Sequence, residues 1–398
     1  MLRHDFILCK TRNLLSVFLA PLMSQTDRPR QRFLRQSVGA ILLAGTLVVT
    51  ELAHWIHDDC SDVFYRLKRL LNHLTSPEGN LTAAIAAYRQ TMAGDIEPET
   101  PLIIDLTDLA KPRARKMKYL ALVRDGSEHK LVAGYWCVEV YAWLAKKRII
   151  PLALDAFSVE DPSIGSQNWQ IDRTIRSVHA ALGGRGVWIG DRGFDGLNCY
   201  ETWFSLNSHF VVRQRGDRRV ILSNGVCILE RDLVERLRQS HARQGLQTGV
   251  VFCPVRLPEH DRQLYLVASW RAGTEEPLIL LTTLCVETLE QAGQIVRYYQ
   301  RRWSCEEASQ FLKSRVGFEG FRIRCYEAIQ RLVLLAMLAM GFLTWILLHG
   351  NQLAQTLFGF TSRFRKNVPF IYYRLLDGLQ EWARLDRLKS SRILLTPL

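Results

Sequence analysis

The sequence predicts an α/β protein with helical regions at both ends. Hydrophobic residues recur at helical spacing in residues 33–95, and the chain beyond about residue 326 is apolar and helical. Between them, residues 96–215 alternate short apolar strands with helices, and residues 216–285 read as a mostly β segment. A length of 398 residues allows two or three domains.

The charge balance indicates the class of partner. A formal net charge of +13 favours a polyanion, and nucleic acid before a membrane surface. Basic residues cluster in the opening stretch and in residues 28–35, 213–219 and 362–366. Ordinary solvated faces remain the alternative explanation of these clusters.

Cysteine spacing and apolar runs bear on the cellular compartment. The nine cysteines include no C-x-x-C pair and no zinc-ligand spacing, which predicts reduced thiols in a cytoplasmic protein. Residues 1–26 weakly imitate a signal peptide but lack a cleavage site, so they stay unassigned, and Met23 is an alternative start. The apolar run 332–348 is slightly short for a membrane span and predicts a buried core helix.

Residues 27–95 predict a helical region that suits DNA binding. Helices are expected over 32–48, over 49–56 with Thr50 as the N-cap, and over 62–74. The last of these carries Arg66, Lys68 and Arg69, as a helix-turn-helix reader of DNA would, although a plain helical subdomain explains the pattern almost as well.

The α/β part predicts strands that end in acidic residues. Its expected order is strands 101–105, 135–144 and 147–157, helix 169–182, strand 187–190, helix 196–207 and strand 209–215. The mostly β segment adds strands within 219–229, 249–258, 262–271 and 277–284, with a helix at 230–240. One long helix then runs from a capping box at Thr288 and Gln291 to a stop at Gly317.

Two of the predicted strands, 101–105 and 187–190, run into Asp105 and Asp191. Carboxylates projected from neighbouring strand ends repel unless they share a cation, and Mg²⁺ prefers such oxygens. Turn formation or helix capping is the alternative role for each Asp.

The long helix carries four polar side chains in one stripe. At about 100° per residue, Tyr299, Arg302, Glu306 and Lys313 fall within an arc of roughly 60°, while the adjacent Glu307 falls outside it. A carboxylate flanked by cations suits a metal ligand among phosphate ligands. A solvated helix face with incidental ion pairs fits the same spacing.

This pattern, Tyr299-x2-Arg302-x3-Glu306-x6-Lys313, resembles the Tyr-Arg-Glu-Lys signature of DDE transposases of bacterial insertion sequences. "IIDLTD" and "IGDRGF" resemble the strands that carry the first and second Asp of that family, with Gly193 and Phe194 after Asp191. The resemblance covers roughly residues 30–350, and Cys305 departs from it because a branched apolar residue is common there.

The resemblance implies an RNase H-like catalytic core interrupted by the mostly β insertion. Asp105, Asp191 and Glu306 would be catalytic and hold two Mg²⁺ ions, with Mn²⁺ as a substitute, while Tyr299, Arg302 and Lys313 would hold DNA phosphates. It also implies cut-and-paste transposition, in which a freed 3′-hydroxyl attacks target DNA. The implied partners are terminal inverted repeats, target DNA and a second copy of the chain in a synaptic dimer, with no membrane, in the bacterial cytoplasm at the nucleoid.

The implied organisation divides the chain into six parts. These are the unassigned extension 1–26, the DNA-end-binding region 27–95, core residues 96–215, the insertion 216–285, the catalytic Glu helix 286–325 and the helical region 326–398. Two other functions stay open: an RNase H-like nuclease without strand transfer, and an inactive DNA-binding or repressor derivative.

Overall fold

The structure is a computed structural model that describes residues 2–24, 26–56, 62–77, 81–124, 126, 130–243, 249–271 and 276–385. The chain divides into two compact units. The first unit is formed by 1–95, 106–170 and 306–398, and the second by 96–105 and 171–305. Helices and a mixed set of strands are present, so the prediction of an α/β protein is confirmed.

Five helices begin the first unit. They are α1 Leu2–Met23, α2 Arg28–Ala44, α3 Val49–Trp55, α4 Val63–Thr75 and α5 Thr82–Met92. Asp27 caps α2 by accepting a hydrogen bond from the Arg30 amide, and Asp62 caps α4 in the same way. The prediction that Thr50 is an N-cap is wrong, because α3 already includes Thr50 and Val48 holds the cap position without a side-chain bond.

Helix α1 covers most of the segment that the sequence left unassigned. Phe18, fully buried, contacts the rings of Tyr88, Phe342 and Trp345 at centroid separations of 5.5–6.0 Å. This helix is therefore part of the hydrophobic core of the first unit, where large aromatic side chains contribute much of the buried apolar area.

The first unit also contains strands. They are the end of β1 Pro101–Ala110, together with β2 Ala121–Arg124, β3 Leu131–Leu144 and β4 Arg148–Phe157. Strand β3 pairs antiparallel with β2 and with β4. At Gly134 a Cβ atom would lie 2.6 Å from the carbonyl oxygen of Leu109, so only glycine permits this approach of the two backbones.

Three helices complete the first unit: α11 Tyr326–His349, α12 Asn351–Phe358 and α13 Ile371–Leu385. Helix α11 packs against β4, and the Thr344 and Tyr372 hydroxyls both donate to the Ile149 carbonyl. In the described part of the chain, α11 alone is long and apolar enough for a membrane span, and 78% of its most apolar window is buried. The pair α2 and α3, bent by 99°, passes the same test only if it is counted as one span.

The second unit contains a larger mixed sheet. It is built from the start of β1 and from β5 Val187–Gly190, β6 His209–Arg213, β7 Arg219–Leu222, β8 Cys227–Leu229, β9 Gly249–Leu257, β10 His260–Trp270 and β11 Leu278–Thr282. Their order is β1-β5-β6-β11-β10-β9-β7-β8. The pairs β1–β5 and β5–β6 are parallel, and the remaining pairs are antiparallel.

Helices of the second unit include most of α6 Gln167–Leu182, with α7 Leu197–Ser205, α8 Glu230–Arg243 and α9 Leu289–Gln300. Gly183 and Gly184, both with positive φ, end α6 as predicted. The capping box at Thr288 and Gln291 is also confirmed at the start of α9.

The prediction of one long helix after Thr288 is wrong. Helix α9 ends at Gln300, α10 spans Trp303–Phe311, and a π-helical turn covers Leu312–Val316. The amides of Arg301 and Arg302 bond back to the carbonyls three residues earlier, which tightens the backbone between the two α-helices. The four-residue stripe therefore does not lie on one continuous α-helix, and only the Gly317 stop is confirmed, at φ 66°.

Candidate functional site

Asp105 and Asp191 both follow paired positions of two parallel strands of the second unit. Strands β1 and β5 pair in parallel, with Ile103 opposite Ile189. The pairing between the two strands ends there, so Asp105 and Asp191 each lie two residues after the last paired position. Strand β1 is longer than predicted and continues to Ala110, so Asp105 does not end its strand, although Asp191 directly follows β5.

The backbone around Asp191 turns sharply. Its Oδ1 accepts a hydrogen bond of 2.8 Å from the Gly193 amide and caps a short 3-10 turn at Arg192–Phe194. At Gly190 a Cβ atom would lie 2.9 Å from the Cβ of Phe194, so this close approach also depends on glycine. The turn therefore fixes one carboxylate oxygen of Asp191, and the residue is half-buried.

Arg302 lies next to Asp105. The two residues form an ion pair, with 3.6 Å between Nη1 of Arg302 and Oδ2 of Asp105. The guanidinium group of Arg302 also lies 6.0 Å from the ring centroid of Tyr299, a residue that is only 9% exposed. The first Asp is thus held beside a cation and an aromatic ring that belong to the predicted signature.

Glu306 and Glu307 differ in exposure. Glu306 lies in the first turn of α10 and is exposed, whereas Glu307 is half-buried. Glu306 is the first residue of the last segment of the first unit, while Asp105 and Asp191 belong to the second unit. Among the residues that the structure describes, no group of three or more His, Cys, Asp or Glu side chains is placed to hold a metal ion.

Lys313 lies in the π-helical turn and is engaged by two carboxylates of the first unit. Its Nζ is 3.4 Å from Asp108 Oδ1 and 3.0 Å from Glu319 Oε1. Burial lowers the pKa of Lys313, but the two carboxylates outweigh it, so the net shift is upward and the side chain stays cationic. No local sequence pattern indicated either partner.

Asp195 anchors the turn that follows Asp191, and sequence reasoning did not single it out. It is 6% exposed and forms an ion pair of 2.8 Å with Arg218. It also accepts hydrogen bonds from the Arg215 amide, at 2.9 Å, and from the Tyr200 hydroxyl, at 3.1 Å. Its position four residues after Asp191 was the only signal that could have suggested it.

A second buried acid, Glu230, begins helix α8 beside this ion pair. Its side chain is fully buried, and this burial raises its pKa to about 8, with the charge of Asp195 adding to the shift and that of Arg218 opposing it. The folded state therefore keeps a proton that the unfolded chain releases near its ordinary pKa of 4.5.

We expect the protein to lose stability as pH rises from about 5 to about 8, because ionising Glu230 in the folded state is costly while the unfolded chain is already ionised. Glu230→Gln should flatten this dependence. The free energy of unfolding, measured by urea titration across this range, checks it. The exposed Glu235 of the same helix gives the matched control Glu235→Gln, which should retain the wild-type slope, and equal slopes for both variants would contradict the prediction.

The carboxylates fit a hard divalent cation in their chemistry. Asp105 and Asp191, each two residues after the last paired positions of β1 and β5, offer carboxylate oxygens, the ligand type that Mg²⁺ prefers. The guanidinium beside Asp105 shows that this carboxylate already accommodates positive charge.

Comparison with known proteins supports the family that the motifs resemble. Residues 166–342 match the model of the transposase DDE domain. The fold is similar to that of the piggyBac transposase in a synaptic complex with hairpin DNA, with a TM-score of 0.50 and 13% identity over 99% of this chain and 84% of that one. At this identity the likeness concerns the fold alone. No curated protein matches the chain.

Proposed function

We propose, from the match of residues 166–342 to the model of the transposase DDE domain, that the chain is a transposase that cuts DNA at the ends of its element and joins those ends to target DNA. The observation that carries the proposal is the parallel pairing of β1 with β5, because Asp105 and Asp191 each follow the last paired positions of these strands by two residues. In sheets with parallel strands, ligands collect at the carboxyl ends of adjacent strands.

Asp105, Asp191 and Glu306 are the proposed ligands of two Mg²⁺ ions, or of Mn²⁺ as a substitute. When bound, such ions activate an attacking oxygen and stabilise the leaving oxygen of a phosphodiester. The place of Glu306 in this set rests on the sequence signature, and the places of Asp105 and Asp191 rest on the signature and the strand register.

The basic residues of the signature would hold the scissile phosphate. Arg302 presents a planar fork of donors that matches two phosphate oxygens, and its contact with Asp105 orients it. Lys313 would bring its point charge to a phosphate oxygen by exchanging the carboxylates of Asp108 and Glu319, which pair with its ammonium group in the structure. Tyr299, being nearly buried, would position Arg302 through its ring and contact phosphate with its hydroxyl.

The architecture that we propose is an RNase H-like core formed by β1, β3, β4, β5 and β6, with residues 216–285 as an insertion. The parallel pairing of β1, β5 and β6 supports this assignment, as does the antiparallel pairing of β3 with β4. The core would carry the chemistry, and the remaining regions would bind DNA or a second copy of the chain.

The proposed partners are the inverted repeats of the element, target DNA and a second copy of the chain. The region 27–95 would read the repeats, and its helix α4 exposes Phe64 and Tyr65. Not all basic residues of α4 are available for DNA, because the Arg69 guanidinium donates to Gln36 at 3.0 Å. The similar piggyBac structure is a synaptic complex with DNA, which supports a DNA partner, and the cytoplasm is the proposed location.

Cleavage of DNA that carries the element ends tests this function. With Mg²⁺ we expect nicks at the ends, followed by joining of the 3′ ends to a target plasmid, and with EDTA we expect neither. Nicks without joining would support a nuclease that lacks strand transfer. Binding of the ends without any nick, in Mg²⁺ or Mn²⁺, would support an inactive derivative and contradict the proposal.

A further inference from the structure

A pocket in the first unit is lined largely by cations. Its volume is about 280 Å³, and its lining residues are Ala114, Arg115, Lys116, Met117, Arg322 and Arg324. We call it the basic pocket. One wall follows strand β1, and the other precedes helix α11. None of its four cations belongs to the Tyr-Arg-Glu-Lys signature.

The two walls are joined through their backbones. The Lys111 ammonium donates to the carbonyl of Phe321 at 2.9 Å and also to that of Glu319, and it lies 3.4 Å from the Phe321 ring centroid. At the other end, the Lys118 amide donates to the Arg324 carbonyl at 3.1 Å. Burial lowers the pKa of Lys111 to about 8, although the charge of Glu319 opposes this shift. Such a shift is expected for an ammonium group that is buried between two backbone segments.

The cations of the basic pocket are not neutralised by carboxylates. Within the described residues, the side chains of Lys116, Arg322 and Arg324 form no hydrogen bond or ion pair, and all three are exposed. In the same part of the chain, the Arg115 guanidinium donates to two backbone carbonyls, those of Pro112 and Ala114.

The neighbouring acids are already engaged. Glu327 pairs with Lys118 at 3.3 Å, and Glu319 pairs with Lys313 at 3.0 Å. Like charges held together in this way repel one another, and the repulsion is relieved when an anion enters.

We propose that the basic pocket binds backbone phosphates of duplex DNA. Three guanidinium groups and one ammonium group line it, and guanidinium forks match pairs of phosphate oxygens. The fixed walls hold these side chains close together before binding, which reduces the entropy lost on contact. The identity of the polyanion as DNA rests on the proposed function, whereas the phosphate chemistry rests on the pocket itself.

The test is the salt dependence of DNA binding. The variant Lys116→Gln/Arg322→Gln/Arg324→Gln is compared with the wild type on a short mixed-sequence duplex, by fluorescence anisotropy between about 50 and 200 mM salt. Each lost phosphate contact reduces the slope of log K against log salt by about 0.9, so we expect a reduction of about 2 to 3. The double variant Arg322→Gln/Arg324→Gln should show about two thirds of that change.

A control with the same loss of charge separates local contacts from net charge. Lys147, Arg173 and Arg236 are exposed and lie outside the basic pocket and outside the basic clusters of the sequence, so Lys147→Gln/Arg173→Gln/Arg236→Gln serves as the control. We expect the control to reduce the slope by less than about 0.9, the value of one phosphate contact. Equal slopes for the pocket variant and the control would overturn the inference, and thermal unfolding should show that all variants fold like the wild type.

These experiments distinguish a failure of the pocket assignment from a failure of the proposed function. If the wild type cuts element ends while the pocket variant binds with the slope of the control, the pocket assignment is wrong and the function stands. If the pocket variant loses the expected slope while the wild type never cuts DNA, the pocket assignment stands and the proposed function is wrong.

Discussion

We expect Glu306→Ala to reduce cleavage of element ends by at least about a thousandfold, because loss of a metal ligand removes several kcal/mol of transition-state stabilisation. Binding of the same DNA should survive, since Glu306 is exposed and the substitution leaves the neighbouring core intact. Single-turnover nicking and an anisotropy titration on the same DNA measure the two quantities.

The adjacent Glu307 provides the matched control. Glu307→Ala removes the same charge one residue away, from a half-buried position outside the signature, and we expect cleavage within about tenfold of the wild type. If Glu306→Ala cut as fast as the wild type, or if the two variants lost activity equally, the assignment of Glu306 as a metal ligand would be wrong.

The second large effect is expected for Asp191→Asn, which should reduce cleavage without reducing stability. Asp195→Asn serves as the comparison, because it should reduce stability more than cleavage. Asp191→Asn keeps an oxygen that can accept the bond from the Gly193 amide, so the free energy of unfolding should hardly change. Cleavage should fall by at least about a thousandfold, because an amide is a poor ligand for a hard divalent cation.

Asp195→Asn should show the opposite profile. It weakens the buried ion pair with Arg218, and we expect the free energy of unfolding to fall by about 2 to 4 kcal/mol. Cleavage by the fraction that remains folded should fall much less than in Asp191→Asn. Urea titration and nicking rates on both variants check this, and a stable but inactive Asp195→Asn would contradict the structural role assigned to Asp195.

Local sequence signals predicted many of the elements. Strand β5, helices α6 to α8 and the cap of α9 follow from apolar runs, glycine breakers and capping residues, each of which acts within a few residues. The extent of β1 did not follow from such signals. Beyond Asp105 the run "LTDLA" is only partly apolar, and the pairing of this half with the other strands of the first unit depends on residues far along the chain.

The break between α9 and α10 shows another limit of sequence reasoning. No proline or glycine marks Arg301 and Arg302, and helical periodicity passes through them without interruption. The structure nonetheless tightens the backbone there, so an angular argument built on one ideal helix failed. The residues of the signature keep their identity as a motif, but their geometry must come from the structure.

Ion pairs between residues that are distant in the chain could not be predicted from the sequence either. Lys313 meets Asp108 across 205 positions, and Arg218 meets Asp195 across 23. No local pattern encodes such pairs, because they form only when distant segments pack together. The same holds for the basic pocket, because residues 114–117 form one wall and Arg322 and Arg324 form the other.

The central claim is that Asp105, Asp191 and Glu306 act as one metal centre on DNA. Electron paramagnetic resonance of Mn²⁺, titrated into the protein bound to element-end DNA, tests it most directly. We expect up to two tightly bound ions per wild-type chain, and loss of tight binding in Asp105→Asn, Asp191→Asn and Glu306→Ala, with Glu307→Ala unchanged. Equal Mn²⁺ binding by the wild type and all three site variants would contradict the account.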